Sequence, residues 1–340
     1  MRANGSYRTV ERRFPTSPYP GPVDSDSLDE LDRQLLHALQ IDGRAPFSRI
    51  AEVLGVSDRT LARRYGRLRG AGVVRVTGVA DSAGIGAAEW VVRIKVRANA
   101  VAALARALTA RPDIAWVSVL SSGTEIACLF RVPGNGPAPL AELARHQQVS
   151  DISAQRVLRH LMRRRWHGRT SALDADRIAA LRPADPDVAQ PISLTELDHR
   201  LLAALAADGR AAYPDLARRT GWSESAVRRR LAELRRTGLV RFSVEIDPGV
   251  LGFAAPCVIW LTVAPNRLTA VGRSLSEDAE AAFIAATTGV HNLILIAVFH
   301  DSSDLYTYLA ERIGAIDGIE RVETALIATF AKRDAPTPPS

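Results

Sequence analysis

The chain repeats itself at a spacing of 166 residues, and this repeat limits the fold more than any other feature. Asp42-Gly43-Arg44-Ala45 recurs as Asp208-Gly209-Arg210-Ala211. When residues 27–76 are aligned with 193–242 without a gap, 23 of 50 positions are identical. The register continues at Gly123, which matches Gly289. The sequence therefore predicts two copies of one unit of about 140 residues.

The repeat divides the 340 residues into segments that differ in composition. The proline-rich ends have few apolar residues and are predicted to be disordered. The stretch between the copies contains Pro183, Pro186 and Pro191 and reads as a linker with a short helix near Asp174 to Leu181. The predicted segments are a leader at 1–26, two helix-turn-helix units at 27–76 and 193–242, two sheet domains at 77–166 and 243–332, the linker at 167–192, and a tail at 333–340.

The first helix of each copy has leucines at helical spacing, such as Leu28, Leu31, Leu35 and Leu39. Ser27 and Glu30 are three residues apart, as are Ser193 and Glu196, which predicts a capping box at each helix start. Gly43 is expected to end the first helix in a left-handed conformation.

A short second helix, about residues 48–54 and 214–220, ends at a glycine in each copy. Pro214 suits the first helical turn, because its missing N–H has no helical partner there. Two residues after the glycine, Ser57 or Ser223 can cap a third helix. A turn of about three residues between two helices is typical of a helix-turn-helix motif.

The third helix carries the residues that predict DNA binding. Its inward stripe is Leu61, Tyr65 and Leu68, or Val227, Leu231 and Leu234. Arginines on its other face could contact phosphates and guanine edges, although a solvated face is the alternative. The candidate DNA-binding residues are Ser57, Arg59, Thr60, Arg63, Arg64, Arg67, Ser223, Ser225, Arg228, Arg229 and Arg230.

Positive charge collects in these motifs. Of the 44 cations, all but Lys95 and Lys332 are arginine, a bias that a GC-rich, bacterial genome would produce. Residues 27–76 have nine cations and six acids, 193–242 have ten and six, and 243–332 have five and eleven. The motifs would attract DNA, whereas the second sheet domain would repel it. The basic run 156–169 is either a solvated linker start or a phosphate contact.

The motif resembles the helix-turn-helix of the Lrp/AsnC family of transcriptional regulators. The residues that carry the resemblance are Leu28 to Asp32, Asp42 to Arg44, Leu54 to Ser57, Arg63 to Leu68 and Gly72 to Val74, and copy two repeats them. The resemblance implies that the helices after Ser57 and Ser223 are recognition helices. It also implies that one chain holds what is a dimer elsewhere in the family.

Each motif is followed by segments in the order βαββαβ, which predicts a ferredoxin-like domain and an α+β fold class. In the family this domain binds small effectors, often amino acids, near the turn between its second and third strands, and drives self-association. Copy two has Asn292 where the family usually has an acidic residue, and a plain strand turn is the alternative. The candidate effector residues are Ser122, Gly123, Thr124, Glu125, Thr288, Gly289, Val290, His291 and Asn292.

Several classes of protein are not expected. No apolar run of 18 residues is present, so no membrane span is predicted. Cys128 and Cys257 lie in apolar runs without metal-binding spacing, which favours a reducing cytoplasm and neither a metal nor a cofactor. No P-loop or nucleophile elbow is found in a fitting context, so the chain is predicted not to be an enzyme. The alternative is a sirohaem decarboxylase, because fused pairs of Lrp-like units also resemble those enzymes.

The sequence thus predicts a cytoplasmic, nucleoid-associated, sequence-specific DNA-binding regulator. Two motifs acting together would span half-sites roughly one helical turn, ~34–36 Å, apart. The recognition helices differ at aligned positions, where Arg59 matches Ser225 and Arg67 matches Glu233. Two unlike helices should read unlike half-sites, so the predicted operator is an imperfect palindrome or nonpalindromic.

Overall fold

The computed structural model describes residues 28–80, 87–97, 99–134, 136–162, 172–184, 194–246 and 248–332. The leader, the tail and the run Arg163 to Trp166 lie outside these residues. In copy one the elements are α1 (Glu30–Ile41), α2 (Phe47–Leu54), α3 (Asp58–Gly70), β1 (Val74–Ala80), β2 (Ala87–Val96), α4 (Val101–Ala110), β3 (Ile114–Leu120), β4 (Glu125–Pro133), α5 (Ala141–Ala144) and β5 (Val149–His160).

The linker helix α6 (Ala175–Leu181) precedes copy two, which repeats the same order of elements. Its elements are α7 (Glu196–Ala207), α8 (Tyr213–Thr220), α9 (Glu224–Arg236), β6 (Val240–Ile246), β7 (Ala255–Val263), α10 (Leu268–Leu275), β8 (Ala281–Thr287), β9 (Leu293–Phe299), α11 (Ser302–Thr307) and β10 (Ile319–Lys332). A 3₁₀ turn, Pro248–Leu251, precedes β7, and a π-helical turn, Tyr308–Ile313, continues α11.

Helices α1 to α3 enclose an apolar core, as the leucine spacing predicts. Leu35, Leu39, Ile50 and Leu61 are fully buried in it. Helices α7 to α9 enclose a separate core of the same kind, which includes Leu201, Leu216 and Leu234. Burial of this stripe is what holds helices of 8 to 13 residues in place, because such short helices are marginal in isolation.

The predicted capping boxes at Ser27 and Ser193 are wrong, because the helices are capped two residues later. The Asp29 side chain accepts a hydrogen bond from the Asp32 backbone N–H, and both Ser27 and Ser193 lie outside the described residues. At α7, Thr195 is the N-cap and exchanges hydrogen bonds with Asp198. In both copies a carboxylate therefore stands at the third helical position, where the helix dipole favours it.

The predicted role of Gly43 is also wrong, because Gly43 does not have a left-handed backbone. A Cβ atom at Gly43 would lie 3.0 Å from the Cβ atom of Phe242 on β6. At the matching Gly209, it would lie 2.9 Å from the backbone carbon of Thr77 on β1. Each glycine therefore leaves space for a strand of the other copy.

Strands β1 and β6 pair with each other and join the two copies. The ladder is antiparallel, and Thr77 faces Ser243 at its centre. These two residues are themselves equivalent under the 166-residue repeat. The two helix-turn-helix units are therefore related by an approximate twofold axis that passes through this pair.

The other eight strands form one closed barrel, in the order β10-β3-β4-β2-β5-β8-β9-β7. The barrel therefore contains strands from both of the predicted sheet regions. Strand β5 pairs with β2 through Arg156 and then with β8 from Val157 onward. Strand β10 pairs with β7 through Leu326 and then with β3 from Ile327 onward. Each long strand runs beyond its own sheet and covers an edge of the other sheet, so the exposed edges are lost.

Apolar side chains pack in three layers, one on the outer face of each sheet and one between the two sheets. Helix α4 covers the outer face of the first sheet, and α10 and α11 cover that of the second. Between the sheets, inside the barrel, Leu129, Val258, Trp260 and Ile294 pack together. The central layer therefore belongs to neither copy alone.

The constant spacing of 166 does not hold within the sheets. Val92 packs beneath the helices, whereas Val258, 166 residues later, packs between the sheets. Ile259 has the environment of Val92, which corresponds to a spacing of 167. A shift of one residue reverses every side chain of a strand, so a sequence alignment without a gap assigns the wrong face.

The linker contributes to the first helix-turn-helix unit. Leu181 is fully buried and Leu173 is nearly so in the core formed by α1, α2 and α3. The Arg49 Nη2 atom donates a hydrogen bond to the carbonyl oxygen of Ala180, at 2.6 Å. The short helix predicted at Asp174 to Leu181 is present, but it packs as an additional helix of this unit.

Candidate nucleic-acid interface

Helices α3 and α9, the predicted recognition helices, each begin at the serine that the sequence indicates. The Ser57 hydroxyl accepts a hydrogen bond from the Thr60 N–H at 3.1 Å and lies 2.8 Å from the Thr60 hydroxyl. The Ser223 hydroxyl accepts from the Ala226 N–H at 3.3 Å and lies 3.2 Å from the Ser225 hydroxyl. Gly55 and Gly221 have positive φ angles just before these caps. The turn between the helices is therefore the same in both copies.

The arginines on these helices fall into two groups. Arg59 and Arg63 on α3 and Arg229 on α9 are exposed, and their side chains have no ion-pair partner among the described residues. Arg63 and Arg229 are equivalent under the repeat. They are accordingly the two matched guanidinium groups whose donors are available to another molecule.

Arg64 and its equivalent Arg230 have intramolecular partners instead. Arg64 bonds to Asp29 at 2.5 Å and to Asp32 at 3.0 Å, and these bonds raise the pKa of Arg64. Arg230 bonds to both oxygens of Asp198 at 2.7 Å, which raises its pKa, and Asp198 is fully buried. Arg67 also bonds to Asp32. These arginines tie the recognition helices to α1 and α7.

Arg228 shares features of both groups of arginines, because its side chain is 59% exposed and also has partners within the protein. It forms an ion pair with Glu224 at 2.7 Å and lies 4.1 Å from the centroid of the Tyr213 ring. The equivalent residue in α3 is Ala62. The two recognition surfaces therefore differ in shape and charge here as well as at Arg59 and Ser225.

Two arginines that sequence reasoning did not select lock the two motifs together. Arg44 donates to the carbonyl oxygens of Gly209 and Ala211, at 2.5 and 2.9 Å. Arg210 donates to those of Gly43 and Ala45, at 2.7 and 2.9 Å. Burial lowers the pKa of both guanidinium groups. The repeated sequence Asp-Gly-Arg-Ala was the available signal, but its contacts are with the other copy.

Two further ion pairs cross the same junction. Arg69 pairs with Asp208, and its equivalent Arg235 pairs with Asp42, each at 2.9 Å. Arg210 also lies over the Phe47 ring, 4.2 Å from its centroid. The reciprocal contacts, together with the β1–β6 ladder, fix the position of α3 relative to α9.

The candidate effector turn of copy one has an unusual backbone. Ser121 and Ser122 have φ angles of 50° and 57°, and Gly123 has 94°. Consecutive non-glycine residues in this region are strained, which is common at functional sites. The Thr124 hydroxyl donates to the Ser121 carbonyl oxygen, and Glu125 is held by Arg93 at 2.9 and 3.0 Å.

In the candidate turn of copy two, other parts of the protein already bond to many of the polar groups. Gln155 donates to the His291 carbonyl oxygen, and the backbone N–H of Arg156 donates to the Thr288 hydroxyl. Asn292 bonds through both side-chain atoms to the Val263 backbone. A Cβ atom on Gly289 would lie 3.0 Å from the Gln155 amide nitrogen. This turn is therefore closed by the β5 strand of copy one, while Val290 is exposed.

Comparisons with known proteins agree with the repeat. The AsnC-type helix-turn-helix domain matches residues 28–69 and 194–235, and the Lrp/AsnC ligand binding domain matches 256–336. An uncharacterised HTH-type transcriptional regulator of Pyrococcus furiosus is 33% identical over 140 residues, which are 41% of this chain and 95% of that protein. This chain belongs to the Lrp/AsnC family.

Other Lrp/AsnC relatives also match over about the length of one unit. The HTH-type transcriptional regulator LrpA of Pyrococcus horikoshii is 28% identical over 39% of this chain and 96% of its own length. Each of these two relatives therefore corresponds to one of the two units of this Lrp/AsnC protein.

The double-length chain also matches a solved structure over nearly its whole length. The siroheme decarboxylase NirDL covers 92% of this chain and 95% of its own, with a TM-score of 0.62 and 18% identity. At this identity the likeness shows the fold alone. The prediction that this Lrp/AsnC protein is not an enzyme is nevertheless contradicted, because its whole architecture is also that of an enzyme.

The described residues contain neither a candidate membrane span nor a candidate metal site. Within the described residues, no helix is long and apolar enough to cross a bilayer. The same residues include no group of three or more histidine, cysteine or acidic side chains placed to hold a metal ion. Cys128 and Cys257 are buried thiols, and burial raises the pKa of each, to about 12 for Cys257.

Proposed function

We propose that this Lrp/AsnC protein is a sequence-specific DNA-binding transcriptional regulator in which one chain acts as a dimer. The observation that carries the proposal is the matched pair Arg63 and Arg229. Both are exposed on serine-capped recognition helices, and neither has an ion-pair partner among the described residues. Guanidinium groups in this position suit bidentate contacts to guanine or contacts to phosphate.

The junction between the motifs supports recognition of two half-sites at once. The Arg44 and Arg210 contacts and the β1–β6 ladder hold the recognition helices as one body. Because both motifs belong to one chain, binding of the first raises the effective concentration of the second. The half-sites are then expected to lie roughly one helical turn, ~34–36 Å, apart.

The finer architecture belongs to the same proposal. We place the helix-turn-helix units at 27–76 and 193–242 and the sheet domains at 77–166 and 243–332. The strand orders β5-β2-β4-β3 and β10-β7-β9-β8 support a ferredoxin-like layout for each sheet. The protein would act in the cytoplasm, on the nucleoid, and would associate further through these domains. A small effector would bind at the copy-one turn, where Ser121 and Ser122 are strained.

The experiment is selection of binding sites from random DNA with the purified full-length protein. An enriched site with two unlike halves is expected, because Arg59 and Ala62 on α3 match Ser225 and Arg228 on α9. Enrichment of a perfectly symmetric site would contradict the proposed asymmetry. No enrichment above random DNA would contradict sequence-specific binding itself.

Point variants then test the residues. Arg63→Ala or Arg229→Ala should weaken binding to the selected site by about 1–3 kcal/mol and relax specificity in one half if the arginine reads a base. If the arginine contacts only phosphate, the affinity for all DNA sequences should fall by the same factor, and the salt dependence of binding should decrease. The matched control is Arg106→Ala, an exposed arginine on α4, which should bind as the unchanged protein does. Equal binding by all three variants would refute the assignment.

A second candidate function, siroheme decarboxylation, is favoured by the full-length fold match to NirDL. Between the sheets, Arg93 is held by Glu125 and Glu323, and His160 by Glu89. A tetrapyrrole bound there would have to displace such pairs. Titration with siroheme, followed by its absorption spectrum and by carbon dioxide release, distinguishes the candidates. A stoichiometric chromophore that loses carbon dioxide would establish the enzyme, whereas an unchanged spectrum would exclude it.

A further inference from the structure

The second sheet domain has a cavity that no proposed function uses. It has a volume of about 340 Å³ and lies between the end of β9, the loop before β8 and the π-helical turn after α11. It is on the outer face of the sheet, away from the recognition helices and from the barrel interior. The π-helical turn is itself notable, since such turns are frequent at functional sites.

Aromatic side chains form one side of the cavity. The Phe253 and His300 rings meet edge to face with their centroids 4.5 Å apart. Tyr308 is buried against Phe299, with centroids 5.2 Å apart. Aromatic faces provide apolar contact and attract cations.

The floor of the cavity is a polar network fixed by the π-helical turn. The Tyr308 hydroxyl donates to Asp278 at 2.8 Å, and burial, together with Asp278, raises the pKa of Tyr308. Arg312 binds both oxygens of Asp278 at 2.9 to 3.1 Å and also donates to the Ser274 hydroxyl. The one arginine of the cavity lining is thus paired with the carboxylate beneath it.

Further carboxylates surround the opening. Asp304 and Glu311 are exposed, and their side chains have no ion-pair partner among the described residues. Glu280 also lines the cavity. Because Arg312 is paired with Asp278, the remaining carboxylates give the lining an excess of negative charge. In copy one the corresponding helix, α5, is a single turn without tyrosine or arginine, so the network belongs to copy two alone.

We propose that this cavity binds a small organic cation with an apolar body and no carboxylate, such as an alkylamine or an alkylguanidine. The cationic head would lie against the carboxylates of Asp304 and Glu311, and the alkyl part against Phe253 and Tyr308. A free amino acid is disfavoured, because its carboxylate would meet the same negative rim. This site is separate from the turn between the second and third strands.

The test uses agmatine and L-arginine, which share the guanidinium group and differ in the carboxylate. Isothermal titration calorimetry of the full-length protein should show saturable binding of agmatine, at least tenfold tighter than that of L-arginine. Asp304→Asn combined with Glu311→Gln should weaken agmatine binding at least tenfold. The matched control, Glu320→Gln, changes an exposed acid of the same domain outside the cavity and should leave the binding unchanged.

Three results would overturn the proposal. These are no saturable binding of agmatine, binding of L-arginine that is equal or tighter, or a loss of agmatine binding in the control variant equal to that in the double variant. Melting temperatures without ligand show whether the double variant is folded. If it is not, Asp304→Asn and Glu311→Gln are measured as single variants, and each should weaken agmatine binding. DNA binding is measured separately, so failure of this proposal and failure of the proposed regulator remain distinguishable.

Discussion

Removal of the Arg210 side chain should loosen the junction between the two helix-turn-helix units. Arg210→Ala deletes two charge-assisted hydrogen bonds, to the carbonyl oxygens of Gly43 and Ala45, which contribute about 1.5–3 kcal/mol each. It also deletes the contact with the Phe47 ring, worth about 0.5–2 kcal/mol. The cost of burying the Arg210 guanidinium group offsets part of these contributions, so we expect a net loss of about 3 kcal/mol at this junction, while the β1–β6 ladder remains.

The assay is native-state hydrogen exchange, because a protein with several cores need not unfold in two states. The reporter is the Gly209 amide, which donates across the junction to the Val76 carbonyl oxygen at 2.8 Å. A loss of about 3 kcal/mol corresponds to exchange about 100-fold faster. Arg44→Ala should act alike, because Arg44 makes the same two contacts from the other copy.

The matched control is Arg218→Ala on α8. Its side chain is 74% exposed and pairs with Asp215 on the same helix, so its loss should change stability by less than about 1 kcal/mol. If Gly209 exchanges at the same rate in the Arg210 and Arg218 variants, the reciprocal arginines do not hold the junction. In that case the β1–β6 ladder alone would be responsible.

Three further predictions concern packing, pH and the linker. Gly209→Ala should destabilise the junction by about 1–3 kcal/mol in denaturant unfolding, because its Cβ would contact the β1 backbone. The control, Gly66→Ala, lies in open space on α3 and should stabilise the protein by up to about 1 kcal/mol. Equal effects of the two substitutions would contradict this argument. The hydrogen bond from Arg93 lowers the pKa of Glu323, so the ionised Glu323 should contribute to stability above about pH 4.5, and this contribution should disappear as the pH falls further. Glu323→Gln should therefore make the melting temperature depend less on pH below about pH 4.5. An unchanged pH dependence would contradict the argument. Leu181→Ala should destabilise the first unit by about 2–5 kcal/mol, since this fully buried side chain belongs to its core, and a loss below about 0.5 kcal/mol would show that α6 is only a linker.

Local features of this protein could be predicted from the sequence because neighbours along the chain decide them. The stripe of Leu35 and Leu39 buries one face of a helix wherever that helix lies. Ser57 and Ser223 cap the recognition helices through hydrogen bonds three residues away. The order of strands and helices after each motif also follows from runs of apolar residues, and both copies have the order βαββαβ.

The roles of individual arginines could not be predicted, because their partners are distant in sequence. Arg63 and Arg64 are adjacent and look alike, yet Arg64 faces the buried Asp32 and Arg63 faces solvent. Arg44 lies in a turn that looks ordinary until the second copy is placed against it. The sequence pattern alone therefore selects both Arg63 and Arg64, and only the structure distinguishes the paired arginine from the one without an ion pair among the described residues.

By itself the sequence determined that this chain is a duplicated Lrp/AsnC unit with two basic recognition helices. The repeat is visible from identical residues at aligned positions, and the helical spacing and the caps of α3 and α9 depend on residues only a few positions apart. Only the tertiary structure decided how the copies meet, as one eight-stranded barrel closed by β5 and β10, with strand faces displaced by one residue from the repeat. The physical reason is that strand pairing and ion pairing join residues more than a hundred positions apart, and their geometry is fixed only when the chain has folded.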